Sequence, residues 1–182
     1  MEITTTPIAG LLVLTPRVFR DERGYFLESF NAKNLAEAGI NTSFVQDNES
    51  KSTRGVIRGL HYQLNPHAQA KLVRVIEGTV FDVAVDLRKD SLTFGQWCGL
   101  ELSGENKKQL YIPRGFAHGF SVLSEIAVFA YKCDGYYDPA SERGIMYNDP
   151  ELRIDWKINH QEAQISEKDQ ANPLFREAEY NF

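Results

Sequence analysis

The sequence predicts a mainly β protein of the jelly-roll or small-barrel class, built as a single domain over residues 1–182. Three observations support this. Polar and apolar residues alternate with a period of two in many short segments. Turn residues such as Ser103-Gly104 and Pro113-Arg114-Gly115 separate these segments at short intervals. Helical patterns are few, and the sequence contains no internal repeat or linker that would divide it.

The clearest strand signals lie in the middle of the chain. Residues 72–76 and 80–86 predict two strands joined at Glu77-Gly78. In the second strand, the alternation places four residues on one face: Val80, Asp82, Ala84 and Asp86. The same signal predicts further strands at residues 11–15, 44–47, 96–102, 109–112, 119–123 and 126–132.

Two short helices complete the predicted elements. Residues 31–38 begin with Asn31, a side chain suited to capping a helix, and are followed by Gly39, a residue common just past a helix end. A second helix is predicted to begin at Ser166, with Asp169 three residues later as the acid of a capping box.

Composition and charge exclude several classes of protein. Apolar residues make up 42% and charged residues 25% of the chain, as in ordinary globular proteins. The net charge of −5 argues against a nucleic-acid partner, which attracts a basic surface. The start of the sequence lacks the pattern of a signal peptide, and no apolar run is long enough to cross a membrane. We therefore expect a cytoplasmic protein whose two cysteines, Cys98 and Cys133, are reduced.

Several polar residues fall on strands whose neighbours look buried. Strict alternation over residues 58–63 places Arg58, Leu60 and Tyr62 on one face and His61 and Gln63 on the other. Lys71 begins an otherwise apolar strand, His118 follows the turn at residues 113–115, and Tyr131 ends an apolar run. Polar side chains on buried strands line the interior of a barrel when it binds a ligand.

Each of these residues also has an ordinary structural explanation. His61 is compatible with a buried structural histidine, Lys71 with a charge that protects a sheet edge, and Tyr131 with a ring whose hydroxyl reaches the rim. Asp169 is compatible with a capping acid alone. Taken together, however, the imidazole, lysine, phenol and several arginines supply a base, an oxyanion stabiliser, an acid and phosphate binders.

A metal-dependent jelly roll is an alternative that the histidines allow. The spacing Pro113-x-Gly115-x-x-His118 resembles the second half-motif of the metal-binding cupins. The first half-motif needs His-x-His, and Gln63 stands where the second histidine would be; His67 and His160 lie in polar segments. Because a catalytic metal usually takes three protein ligands, we expect no metal. The absence of Gly-x-Gly-x-x-Gly and P-loop motifs argues equally against a nucleotide cofactor, so the predicted cofactor requirement is none.

Ordered motifs along nearly the whole chain resemble those of the dTDP-4-dehydrorhamnose 3,5-epimerase family. They include Asp21-Glu22-Arg23-Gly24-Tyr25-Phe26, Arg58-Gly59-Leu60-His61-Tyr62-Gln63 and Ser166-Glu167-Lys168-Asp169. The others occupy residues 44–48, 71–74, 81–88, 91–95, 113–120, 131–139 and 148–150. The resemblance implies a cupin-like jelly-roll barrel with a few short helices, free of metal and assembled as a homodimer.

The implied reaction inverts carbons 3 and 5 of dTDP-4-dehydro-6-deoxy-D-glucose, giving dTDP-4-dehydro-L-rhamnose. In family terms His61 would be the general base, oriented by Asp169, and Tyr131 the general acid. Lys71 and His118 would contact the sugar near its ketone oxygen. Positions associated with binding of the nucleotide sugar are Arg23, Glu28, Gln46, Asp47, Asn48, Arg58, Glu142 and Lys168. Of these, Arg23 and Glu28 would reach the site of the neighbouring subunit.

The chemistry suits these residue types. Carbons 3 and 5 both flank the ketone at carbon 4, so one base, one enolate stabiliser and one acid on the opposite face serve both centres. An epimerase that inverts only carbon 3 or only carbon 5 of a related sugar remains an alternative. A non-catalytic sugar-nucleotide-binding module is another, although it predicts loss of His61, Lys71 or Tyr131, and all three are present.

Overall fold

The computed structural model describes residues 1–182, apart from the side chain of His160. In chain order the described strands are β1 (Glu2–Thr5), β2 (Leu12–Thr15), β3 (Val18–Asp21), β4 (Gly24–Leu27), β5 (Gln46–Thr53), β6 (Ile57–Gln63), β7 (Lys71–Glu77), β8 (Thr79–Asp86), β9 (Trp97–Ser103), β10 (Gln109–Ile112), β11 (Phe116–Val122), β12 (Ile126–Cys133) and β13 (Glu142–Gly144). The helices are α1 (Ala32–Glu37) and α2 (Glu167–Gln170), with 3₁₀ turns at His160–Glu162 and Phe175–Glu177.

The strands form two antiparallel sheets that face each other, as in a jelly roll. The first sheet has the strand order β1-β2-β10-β7-β12-β5, and the second has the order β13-β6-β11-β8-β9. Strands β3 and β4 pair only with each other in the described structure and form a separate hairpin. The prediction of a mainly β, cupin-like jelly-roll barrel is confirmed.

Apolar side chains fill one part of the space between the sheets. Strands β7, β10 and β12 of the first sheet contribute Val73, Leu110 and Phe129, which pack against Phe116 and Phe120 of β11. The outer face of the second sheet is covered by the C-terminal part of the chain, and helix α1 covers part of the first sheet through Leu35. Because both sheets are held by these cores, polar residues that point inward are fixed on rigid strands.

A β-bulge in β6 changes which side chains face the interior. His61 lies opposite His118 of β11, but Arg58 lies opposite Phe120, so β6 has one extra residue between these pairs. Arg58 consequently points inward, where its Nε donates a 3.0 Å hydrogen bond to Ser52 Oγ of the opposite sheet. The predicted placement of Arg58 on the face of Leu60 and Tyr62 is therefore wrong, because strict alternation ignores the bulge.

Glycine allows the two strands to approach at this bulge. Gly59 has φ +132°, a region that residues with a side chain rarely adopt. A Cβ placed on Gly59 would lie 2.5 Å from the Gly119 Cα of β11. Any larger residue at position 59 would thus separate β6 from β11 beside His61.

Most of the predicted strands are present. The strands at 72–76, 80–86, 109–112 and 126–132 correspond to β7, β8, β10 and β12, and those at 11–15, 96–102 and 119–123 agree with the structure to within three residues at either end. The predicted segment 44–47 is wrong, because β5 begins at Gln46 and continues to Thr53. Strand β5 is polar throughout, since one face is exposed at the sheet edge and the other lines the interior, so it lacks an apolar signal. Strands β1, β3, β4 and β13 were not predicted; each has only three or four residues.

Both predicted helices are confirmed, with their caps. The Asn31 side chain accepts hydrogen bonds from the backbone N–H groups of Lys33 and Asn34, and Gly39 follows α1 with φ +84°. The Ser166 hydroxyl accepts a 3.1 Å hydrogen bond from the Asp169 backbone N–H at the start of α2. Cys98 and Cys133 are free cysteines. Within the described residues, no helix is long and apolar enough to cross a membrane.

We predict that Asp86 makes folding sensitive to acid. Its side chain is fully buried, which by itself raises the pKa of the carboxyl, but hydrogen bonds from Arg88, Ser91 and Thr93 outweigh burial and hold the pKa at about 2. A depressed pKa stabilises the fold above the unfolded value near 3.8 and loses that contribution as the pH falls toward 2. The contribution at neutral pH is about 1–2 kcal/mol.

Denaturant unfolding at pH 6, 4 and 2.5 checks this prediction. We expect Asp86→Asn to lower the free energy of unfolding at pH 6 and to flatten its decline toward pH 2.5. The matched control is Asp90→Asn, because Asp90 is exposed a few residues further along the chain. Equal acid sensitivity in the wild type and in Asp86→Asn would contradict the prediction.

Candidate active site

The most distinctive polar contact of the molecule joins His61 of β6 to Asp169 of α2. His61 Nε2 lies 2.5 Å from Asp169 Oδ1, and the two residues are 108 positions apart in the sequence. The Asp169 side chain is 5% exposed and that of His61 is 32% exposed. Burial raises the pKa of Asp169, but the hydrogen bonds from His61 and Ser166 and from the Gly59 backbone outweigh it, and the pKa lies below its usual value. Asp169 is thus an ionised partner that fixes the imidazole, beyond its place in a helix cap.

His61 opens onto a cavity of about 110 Å³ inside the jelly roll. Lys71 and Tyr131, the other two predicted catalytic residues, line the same cavity. The rest of the lining is mainly polar: Gln46, Asn48, Tyr62, Gln63, Gln69, Cys133, Tyr137 and Glu142. The structure therefore brings together His61, Lys71 and Tyr131 around one space, with Asp169 in contact with the imidazole.

Lys71 is a half-buried cation on an interior strand. Strand β7 lies between β10 and β12, which excludes the explanation of Lys71 as a charge at a sheet edge. Its Nζ lies 5.8 Å from the ring centroid of Tyr131. Burial lowers the pKa of the Lys71 amine below its usual value, and the nearby acidic groups of Cys133, Asp82 and Glu142 act in the opposite direction. Among the described residues, no carboxylate lies within ion-pair distance of this amine.

Tyr131 stands on the wall opposite His61. It belongs to β12 of the first sheet, whereas His61 belongs to β6 of the second. Burial raises the pKa of the Tyr131 phenol above its ordinary value of 10.0. The hydroxyl therefore stays protonated at neutral pH and is available as a proton donor.

His118 is tied to an aspartate that the sequence reasoning did not select. Its Nε2 lies 2.9 Å from Asp82 Oδ2 of β8, and both side chains are buried. Burial lowers the pKa of His118 even though Asp82 opposes the shift, so the ring is neutral at pH 7. With Nε2 donating to Asp82, only Nδ1 remains free, as an acceptor. Lys71 is the lysine or arginine among the described residues that line the His61 cavity, and His118 does not line that cavity.

A second cavity adjoins His61, and Lys71 is not among the described residues that line it. It is lined by Arg58, by Lys168 and Asp169 of α2, and by residues 164–166 before the helix. Two cations thus stand on this side of the imidazole, an arrangement that suits an anionic group of a ligand.

Glu142 connects the two cavities. Its Oε2 accepts hydrogen bonds from Lys168 Nζ at 2.6 Å and from the Tyr137 hydroxyl at 2.8 Å. Gln46 fixes the same region, because its Oε1 accepts from the Tyr137 backbone N–H at 3.0 Å and its Nε2 donates to Asn48 at 3.1 Å. Tyr137 is not among the site residues predicted from the sequence.

Three predicted binding residues lie apart from both cavities. Arg23 lies between β3 and β4, with 84% of its side chain exposed, and pairs with Asp21. Glu28 accepts hydrogen bonds from Asn31 and Asn34. The Asp47 carboxylate, 64% exposed, is paired with Lys132 Nζ at 2.7 Å.

Gln63 stands where a cupin would have a metal-binding histidine, and its side chain instead makes hydrogen bonds to the backbone. Its Nε2 donates to the backbone carbonyl of His67 at 2.7 Å, and its Oε1 accepts from the Asp138 backbone N–H at 3.0 Å. The amide thus holds two loops at the cavity. In the described part of the chain, no group of three potential metal ligands comes together. The His160 side chain, considered above as a remaining histidine, lies outside the described residues, and a metal-free site stays a prediction.

A jelly roll that presents an imidazole–carboxylate pair, a phenol and a lysine to one interior cavity has the groups of an enzyme that works by general acid–base catalysis. A sequence model of the dTDP-4-dehydrorhamnose 3,5-epimerase family matches residues 5–177, and the chain belongs to this family. It is accordingly a carbohydrate epimerase.

Individual relatives agree with this assignment. The chain is 54% identical to the dTDP-4-dehydrorhamnose 3,5-epimerase of Shigella flexneri over 181 residues, which cover 99% of each protein. It is similar, with a TM-score of 0.93 and 55% identity, to a dTDP-6-deoxy-D-glucose-3,5-epimerase from Legionella pneumophila solved in complex with dTDP-4-keto-L-rhamnose; the match covers 97% of this chain and 93% of that one. A dTDP-4-dehydrorhamnose 3-epimerase of Streptomyces niveus is 40% identical, over 98% of this chain and 86% of that protein.

Proposed function

We propose that this chain is a single-domain, cofactor-independent epimerase, spanning residues 1–182, that inverts carbons 3 and 5 of dTDP-4-dehydro-6-deoxy-D-glucose. The product is dTDP-4-dehydro-L-rhamnose, on the route to dTDP-L-rhamnose. The observation that carries the proposal is the convergence of the His61–Asp169 pair, Lys71 and Tyr131 on one cavity. The relatives at more than 50% identity that are named 3,5-epimerases support the choice of reaction.

In this proposal His61 removes the proton from carbon 3 and then from carbon 5. Its Nε2 is committed to Asp169, so Nδ1 is the nitrogen free to accept a carbon-bound proton. Asp169 holds the ring in the tautomer with a free Nδ1 and stabilises the imidazolium that forms. The same pair serves both carbons because each flanks the ketone at carbon 4.

Lys71 stabilises the enolate produced by each deprotonation. Negative charge develops on the ketone oxygen, and a cation held in a buried site lowers the energy of that charge more than it would in water. Lys71 suits this role because no carboxylate among the described residues neutralises it by direct contact. Removing one such donor typically costs about 3 kcal/mol of transition-state stabilisation.

Tyr131 returns a proton to the opposite face of the sugar ring. Inversion requires the acid and the base to stand on different sides of the reacting carbon. His61 and Tyr131 belong to different sheets and line the same cavity from opposite walls. The protonated phenol is a suitable donor.

The nucleotide end of the substrate is assigned to the second cavity and to the rim. Arg58 and Lys168 offset the charge of the diphosphate, while Glu142, Gln46 and Asn48 border the path between the cavities.

A homodimer is part of the proposal. Arg23 and Glu28 lie apart from both cavities of their own chain, which is consistent with contact to the site of a neighbouring subunit. The β3–β4 hairpin that carries Arg23 also exposes Phe19 and Phe26, by 50% and 69%. A cytoplasmic location stays a prediction.

Proton NMR in deuterated water tests the proposed reaction. The purified protein is incubated with dTDP-4-dehydro-6-deoxy-D-glucose without added metal or cofactor. We expect loss of signal at carbons 3 and 5 and a product that the next reductase converts to dTDP-L-rhamnose. Exchange at one carbon alone would assign the chain to the single-centre epimerases, and no exchange would favour a binding module. Activity that requires added iron, zinc or manganese would favour the metal-dependent alternative.

We predict that Lys71 sets the alkaline limit of activity. Its pKa lies below the usual 10.5, so the cation is lost at a lower pH than in a free lysine, and kcat falls as the pH rises through that pKa. Lys71→Arg stays charged and should lower kcat at pH 7.5 while moving the alkaline limit upward. Rates between pH 7 and 10.5 check this, with Lys132→Arg, a lysine paired with Asp47, as the matched control. An identical alkaline limit in Lys71→Arg would contradict the prediction.

A further inference from the structure

Asp82 is a buried acid that the proposed reaction does not use. It lies on β8, its side chain is fully buried, and one carboxylate oxygen, Oδ2, contacts His118 Nε2 at 2.9 Å. The other oxygen, Oδ1, is buried without a hydrogen-bond partner among the described residues. An unpaired buried carboxylate oxygen is costly, so such an atom in a rigid strand calls for an explanation.

The Lys71 amine is a charged group of opposite sign in the same interior, and among the described residues it has no direct ion-pair partner. It is a half-buried cation that no carboxylate of the described residues contacts directly, and the charge of Asp82 favours its protonated form. Both residues point inward, from opposite sheets: Lys71 from β7 of the first and Asp82 from β8 of the second. A half-buried cation and a buried carboxylate that face one interior attract each other even without direct contact, because that interior is less polar than water.

We propose that Asp82 is a positioning residue for the epimerase reaction, whose carboxylate orients His118 and supplies the negative charge that balances the Lys71 ammonium. The balance is indirect, so Lys71 keeps its hydrogens free for the ketone oxygen of the substrate. A direct Asp–Lys contact would instead compete with the enolate. This inference rests on the proposed function, because it assigns Asp82 a part in the same chemistry.

Other groups around Lys71 do not replace Asp82 in this role. Strand β12 contributes the Cys133 thiol, whose pKa is raised by burial, and the Tyr131 phenol, whose pKa is also raised by burial, so both are neutral near pH 7. Strand β6 contributes His61, which is paired with Asp169, and β11 contributes the neutral His118. Glu142 of β13 is held by Lys168 and Tyr137, and Asp134 is paired with Arg114. Among the described residues, Asp82 is therefore the buried acid near Lys71 that pairs with no lysine or arginine. The charge of Glu142, which is paired with Lys168, also favours the protonated amine, but to a smaller extent.

The test is the pH dependence of kcat in Asp82→Asn. Without the carboxylate, Lys71 should lose its proton more easily, so we expect the alkaline limit to move down by about one pH unit or more. This corresponds to about a tenfold loss of kcat at the wild-type limit that shrinks as the pH is lowered. Asp82→Glu, which keeps the charge, should restore the wild-type limit. In a Lys71→Arg background Asp82→Asn should leave the limit unchanged, because arginine stays charged.

Asp86→Asn is the matched control. Asp86 is a fully buried acid on the same strand and face, but its partners are Arg88, Ser91 and Thr93. It should destabilise the fold without moving the alkaline limit. If Asp82→Asn lowers kcat equally at every pH and leaves the alkaline limit of kcat unchanged, Asp82 has only a structural role. That result would overturn the proposal. A wild-type protein with no epimerase activity would instead refute the proposed function.

A second measurement needs no change at Asp82. Lysine NMR of the ligand-free protein labelled at the ε carbon, with Lys71 assigned through Lys71→Arg, reports the charge of this amine directly. We expect Lys71 to be protonated at pH 7.5. A neutral Lys71 at that pH would overturn the proposal even if Asp82→Asn does not fold.

Discussion

Replacing His61 by asparagine should stop hydrogen exchange at both carbon 3 and carbon 5 of the substrate. His61 is the proposed base at both centres. Asparagine has a similar volume, but its amide cannot accept the proton. We expect kcat to fall by about 10²- to 10⁴-fold, the range typical of a lost general base. Substrate affinity should change little, since the Arg58 and Lys168 side of the site stays intact.

NMR-detected exchange in deuterated water measures this loss at each carbon separately. The matched control is His67→Asn, because His67 is exposed and its contact with Gln63 uses the backbone carbonyl. Exchange in His61→Asn at the wild-type rate would refute the base assignment. Loss at carbon 5 with normal exchange at carbon 3 would show that another group serves the first centre.

Tyr131→Phe should separate exchange from inversion. In this variant His61 can still remove a proton and return a deuteron to the same face, so the starting sugar gains deuterium. The inverted product, which needs a proton from the opposite wall, should form about 10²- to 10⁴-fold more slowly. A phenylalanine ring fills the same space, so the cavity and the position of Lys71 should persist.

The ratio of deuterium uptake to product formation is the measurement for Tyr131→Phe. Tyr111→Phe is a matched control, because the Tyr111 hydroxyl bonds to Thr42 and does not line the His61 cavity in the described structure. Product formation at the wild-type rate in Tyr131→Phe would show that another donor, or water, supplies the second face. A parallel loss of exchange and product would assign Tyr131 to the first proton transfer as well.

The alternation of polar and apolar residues predicted the strands that carry apolar side chains. It did not predict the bounds of the polar strand β5. Strands β7 and β12 show the pattern because one face of each is buried in the core between the sheets, and β8 is apolar on its outer face and buried on both faces. Strand β5 also alternates, but between exposure and a polar interior, so no apolar residue marked it. The bulge at Gly59 and Leu60 could not be seen from spacing, because it depends on how β6 pairs with β11.

The candidate site was predictable mainly through the family resemblance. The residue types around His61, Lys71 and Tyr131 suggested acid–base chemistry, but their sequence positions could not show that they share one cavity. Asp82 is an acid among apolar neighbours on β8, a pattern that can indicate a functional residue. The same pattern describes Asp86, whose role is structural, so it did not distinguish the two residues. Only the packing of β8 against β11 separates the two roles.

The contact between His61 and Asp169 has a consequence for how activity arises during synthesis. The two residues are 108 positions apart, and Asp169 is carried by a short helix that reaches β6 only late in the sequence. A ribosome that has completed both sheets has made Lys71, Tyr131 and His61, but has not yet made the carboxylate that orients the imidazole. The segment after β13 adds no strand to either sheet in the described structure, yet the imidazole acquires its carboxylate partner only when this segment is made and α2 packs against β6.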